Sequence, residues 1–141
     1  MEFDSSFANL HRNFGPVLLA RGKYDDAVRA VQRSIDLSGG IRLSWNVGLL
    51  AYANARGGHT AAARVLLQEL VERSARAPVS GTGMALIYDA LGDRERAVKW
   101  LERAVAEYDW PAQRYGLSPL LDHLRADPRA AALLAKTRAM Q

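Results

Sequence analysis

The sequence predicts an all-α fold: three antiparallel helix pairs followed by capping helices at the C-terminus. Three observations predict it. A Gly followed five residues later by an Ala recurs as Gly22/Ala27, Gly58/Ala63 and Gly92/Ala97, with the glycines 36 and 34 residues apart. A fixed interval of this size marks an internal repeat. After each alanine, apolar residues follow helical spacing. Near the C-terminus, Ser118-Pro119 and Asp127-Pro128 are two cap-plus-proline helix starts.

The elements follow in order. Phe7, Leu10, Phe14 and Val17 hold helical spacing through the first helix. Pro16 lies inside it and removes a backbone donor. Either the helix kinks there or it begins near Gly15; the unbroken spacing favours the kink. Seven residues before each turn glycine stands a small residue, Gly15, Ala51 or Ala85, expected to face Ala27, Ala63 or Ala97. Helices approach closely where both present little side chain. Gly22, Gly58 and Gly92 should end the first helix of each pair with positive φ. Thr60 and Asp93 are plausible caps for the helices that follow.

The second helices carry Val28, Val31, Ile35 and Leu37, then Leu66, Leu67, Leu70 and Val71, then Val98, Leu101, Ala104 and Val105. Their outer faces carry Arg29 and Arg33, and Glu95, Lys99 and Arg103, read as a solvated convex face. Glu95 and Lys99 have the spacing of a helical ion pair. Tyr108-Asp109-Trp110-Pro111 should stop the sixth helix. The last helix should run from about Pro128 to Arg138. Leu120, Leu121, Leu124, Leu133 and Leu134 would cover the open end of the stack.

Taken together, this register resembles the tetratricopeptide repeat, over residues 8–41, 44–77 and 78–111 of a single domain, 1–141, with a capping tail at 112–141. The chain departs from the family pattern at its tryptophan (His11, Val47, Gly81) and at its closing proline (Gly39, and Ala75 with Pro78 three residues later). The segment Leu121-x-x-Leu124-Arg125-x-Asp127-Pro128-Arg129 is similar to the tail that closes such arrays in bacterial signalling proteins, with Ala130 where Phe is usual. The resemblance implies a right-handed superhelix that binds a protein or peptide on its concave face, as a regulatory domain of a larger bacterial protein.

By the family register the groove would present Asn9, Arg12 and Asn13 from the first unit. The second would supply Trp45, Leu49, Tyr52 and Arg56, and the third Thr82, Leu86 and Asp89. Trp45 and Tyr52 lie seven apart on one helix face, and such residues often anchor interfaces. They would form an apolar shelf rimmed by Arg12 and Arg56, or else Trp45 packs on the neighbouring helix. Of the positions that clamp a chaperone's C-terminal carboxylate in some relatives (Arg12, Pro16, Leu49, Val79 and Gly83 here), only Arg12 could serve. The alternative reading is a self-association module, a homodimer.

Composition narrows the classes further. The 141 residues are 49% apolar, enough for one core. There is no cysteine, hence no disulfide, thiolate metal site or thiol nucleophile. No apolar run approaches the ~20 residues of a membrane span, and Met1-Glu2-Phe3-Asp4 does not open a secretory signal. A cytoplasmic protein without membrane contact is expected. The net charge of +4 comes mainly from residues 11–76, with ten Arg/Lys against five Asp/Glu. That excess is too mild to favour nucleic acid. His11, His59 and His123 are dispersed, and Asp122-His123 with Asp127 reads as a charged capping segment. Gly81-Thr82-Gly83 lacks the context of a phosphate loop. No catalytic residue, cofactor or metal is expected.

Overall fold

The computed structural model describes residues 14–139. Asn9, Arg12 and Asn13, with Phe7 and Leu10, lie outside the described residues. The chain is all-α, and neighbouring helices pack antiparallel. Helix α1 covers residues 14–20. It is followed by α2 (Tyr24–Leu37), α3 (Ser44–Arg56), α4 (Thr60–Ser74), α5 (Gly81–Ala90) and α6 (Arg94–Ala106). The tail holds α7 (Trp110–Tyr115), a 3-10 turn (Pro119–Leu121), α8 (Asp122–Arg125) and α9 (Pro128–Ala139).

Two helices form the centre. Residues Trp45 to Ala53 of α3 are buried without a break, and so are Gly81 to Ile87 of α5. A helix apolar on all sides must be covered on all sides. α3 packs on α2, α4 and α5, while α5 packs on α6 and on the tail. Closeness comes from missing side chains: a Cβ on Gly48 would stand 3.0 Å from the Gly83 Cα, and one on Gly81 2.9 Å from the Trp100 carbonyl oxygen. The expected small positions are all interior, since Gly15, Ala27, Ala51, Ala63, Ala85 and Ala97 are buried.

The three turns after α1, α3 and α5 share one geometry. Gly22, Gly58 and Gly92 have φ of 74°, 89° and 86°. The residue after each donates to the carbonyl five back: Lys23 to Leu18 (2.9 Å), His59 to Asn54 (2.7 Å) and Asp93 to Tyr88 (2.8 Å). This closes the orphan carbonyls of a helix end. The caps divide. Asp93 accepts from the Arg96 backbone N–H at 3.1 Å, as expected, but Thr60 is already helical and His59 precedes it without a side-chain cap.

Three further expectations need correction. Of the apolar set on α4, only Leu70 is fully buried; Leu66 and Leu67 are half-buried and Val71 is exposed. α4 is an outer helix, and its apolar stripe is wider than the surface it has to meet. Glu95 pairs with Arg129 of the tail at 3.0 Å rather than with Lys99. Tyr108-Asp109-Trp110-Pro111 ends α6, as read, but Trp110-Pro111 also opens α7. Asp109 spans the joint. Its carboxylate accepts from the Ser80 hydroxyl (2.8 Å) and the Thr82 N–H (3.1 Å) at the start of α5. An anion is favourable at a helix N-terminus.

The tail closes the molecule. Leu120, Leu121, Leu124 and Leu134 are buried, and α8 and α9 lie on α5 and α6. Ser118 caps the 3-10 turn through Leu120 N–H (3.1 Å), and Asp127 caps α9 through Arg129 N–H (2.8 Å). Both starts were legible as cap-plus-proline pairs.

Candidate functional site

The expected shelf on α3 and α5 is interior. Leu49, Thr82 and Leu86 have no exposed surface, and Trp45, Tyr52 and Asp89 keep 3–4%. Of the expected groove residues among those described, only Arg56 is exposed. It hydrogen-bonds the Tyr24 hydroxyl (3.2 Å) and lies over that ring. The physical reason is the tail. Trp45, Leu49, Tyr52 and Leu86 share one buried cluster with Leu120, Leu121, Leu124 and Leu134. The Trp45 ring stacks on Tyr115 (5.6 Å between centroids, 22° between planes) and meets Trp110 edge-on at 5.9 Å. An open aromatic shelf is therefore corrected to an aromatic contact that fixes α7 over α3.

Asp89 is the charged centre of this interior. Its side chain is 1% exposed, with one oxygen 2.5 Å from His123 Nδ1 on α8 and the other 3.8 Å from Arg94 Nε. The second oxygen has no hydrogen bond. A buried carboxylate needs such partners, so α8 is held to α5 by the Asp89–His123 hydrogen bond as well as by leucines. Burial pushes the nearby Tyr52 hydroxyl up to about 12, so it stays neutral. Residue-by-residue reading assigned Asp89 to a groove and His123 to a cap. Their meeting depends on the path of the tail, which local spacing does not carry. The signal for α7 was present: Pro111 stands in its first turn, where a helix start tolerates proline.

Among the described residues, one open cleft lies beside α1. It measures about 540 Å³ and runs between Pro16, Val17, Ala20 and Arg21 of the α1 side and Arg114, Tyr115, Ser118 and Pro119 of the tail. Its floor is apolar, with Val17 46% exposed. Arg114 lies over the Tyr115 ring at 5.1 Å. Burial raises the Tyr115 hydroxyl above its ordinary value. Among the described residues, the lining contains no carboxylate. The arrangement can hold an apolar segment against Val17 and Tyr115 and draw acidic groups to Arg21 and Arg114. Among the described residues, no cluster of three His, Asp or Glu is placed to hold a metal. None of their helices is long and apolar enough to cross a membrane.

No family model, curated protein or solved structure matches the chain.

Proposed function

We propose that this chain is a tetratricopeptide-type scaffold, a right-handed superhelix of three helix pairs, that binds a protein segment and serves a larger bacterial regulatory protein. The shared turn geometry at Gly22, Gly58 and Gly92 supports the repeat reading. So do the buried small residues at the same register. The capping tail, with its Arg125 and Asp127, supports the kinship to regulatory arrays. Arg125 donates to the Gly116 and Ser118 carbonyls at 2.6 and 3.2 Å and closes the turn before α8.

The observation that carries the binding reading is the cleft between α1 and the tail. Among the described residues, its lining has an apolar floor, two arginines and no carboxylate. The partner segment therefore carries acidic and apolar side chains. This moves the site from Trp45 and Tyr52 to Val17, Arg21, Arg114 and Tyr115. A homodimer built on Trp45 has no support, because Trp110 and Tyr115 already cover that ring.

The test is affinity capture from a lysate of the producing cells, with the wild-type chain and an Arg21→Glu/Arg114→Glu variant. Both side chains are exposed, so the variant should fold, which circular dichroism checks. A protein retained by wild type and lost by the variant is expected. Equal retention by both, or retention of nothing, would count against the cleft.

A further inference from the structure

The outer face of α4 is uncovered. Val65 is 71% exposed, more than any other large apolar side chain among the described residues, and Val71 is 37% exposed. Ala61 and Ala75 are exposed as well. At 3.6 residues per turn, Ala61, Arg64, Val65, Val71, Glu72 and Ala75 all point within about 60° of Gln68. They are arranged symmetrically about it. Three residues to either side of Gln68 stand valines, and seven to either side stand alanines. Four to either side stand opposite charges, Arg64 before and Glu72 after. The face is a palindrome in shape and complementary to itself in charge.

We infer that α4 packs antiparallel on α4 of a second copy of this chain, about a twofold axis at Gln68. Positions equidistant from Gln68 then come level with each other. Arg64 and Val65 stand level with Val71 and Glu72 of the second copy, and symmetry repeats the quartet at the other end. Arg64 of each copy thus reaches Glu72 of the other across the seam, and Val65 and Val71 stand on the two flanks of these pairs. A parallel arrangement would instead bring arginine beside arginine and glutamate beside glutamate. Glu72 is held within the chain by a hydrogen bond from Gln68 Nε2 at 3.1 Å, a neutral donor. A cleft of about 530 Å³ flanks the face, lined in part by Leu67, Val71, Tyr88 and Leu91. Arg64, Gln68, Asp93 and Arg96 complete its lining, so it offers polar as well as apolar contacts to the second copy. The contact is one helix wide, below the ~800 Å² per partner of a standard interface, so the dimer exchanges with monomer. This inference is independent of the cleft beside α1.

Single cysteines test it directly, because the chain has none of its own. Under mild oxidation, Gln68→Cys should give a disulfide-linked dimer. Ala61→Cys alone should not, since its two copies would stand about 21 Å apart along the helices. A mixture of Ala61→Cys and Ala75→Cys should cross-link. In sedimentation equilibrium, Arg64→Glu or Glu72→Arg alone should weaken the dimer about tenfold or more. The double variant Arg64→Glu/Glu72→Arg should restore it. All these side chains are exposed, and circular dichroism checks that each variant folds. The inference is overturned by a wild-type chain that stays monomeric at the highest concentration reached. Cross-linking of Ala61→Cys as readily as Gln68→Cys overturns it too, as does a double variant no tighter than the single ones.

Discussion

At the scale of the residue, two side chains offer clean measurements. Tyr108 sits at φ 55° and is 65% exposed. A left-handed conformation costs a non-glycine residue about 1 kcal/mol, and no packing offsets it here. Tyr108→Gly should therefore stabilise the fold by up to about 1 kcal/mol, less the greater entropy of glycine in the unfolded chain. Urea denaturation reads the difference, and a destabilised variant would refute the argument. Asp127 offers a pH effect. Hydrogen bonds from the Arg129 side chain, then from its backbone N–H, hold the Asp127 carboxyl down to about 2. In the unfolded chain it titrates near ~3.9. Its contribution is thus complete above about pH 4 and is lost as the pH falls through about 2. Asp127→Asn should flatten the decline of stability across that window, and melting temperatures against pH would show it. Both cap-plus-proline starts could be read in the sequence because a cap acts over three residues. The Tyr108 conformation could not, since nothing in its own chemistry favours positive φ.

At the scale of the element, the tail is the decisive segment. Its leucines were legible as a cover, because α9 keeps its apolar residues at helical spacing and opens on Asp127-Pro128. What they cover was not legible. Reading Trp45, Leu49, Tyr52 and Leu86 as a groove treated each helix pair alone, whereas α7 and the 3-10 turn return over α3 and α5 and fill the space. Leu124 is 1% exposed within that joint cluster. Leu124→Ala should cost about 2–5 kcal/mol. The tail and the central helices share one cluster, so tryptophan fluorescence and far-ultraviolet circular dichroism should still report a single transition. Loss of the fluorescence change alone, ahead of helix melting, would mean that the tail detaches by itself.

At the scale of the whole molecule, helices α3 and α5 are enclosed by α2, α4 and α6 on one side and the tail on the other. The all-α class was plain from the Gly/Ala recurrence, since glycine turns and helical spacing are local physics. The candidate site was not, because concavity is a property of how elements close around each other. Trp45, Tyr115 and Asp89 show the difference: each belongs to a locally correct helix or turn, yet its neighbour lies dozens of residues away. The stack of Trp45 on Tyr115 has a final consequence. It joins α3 to α7, with α4, α5 and α6 between its two partners in the chain. The contact therefore counts. Duplicating one more helix pair after Ala106 would carry Tyr115 one unit away from Trp45, and deleting a pair would bring it too near. The distance between α3 and the tail is thus tied to an aromatic contact, which the gain or loss of a helix pair would break.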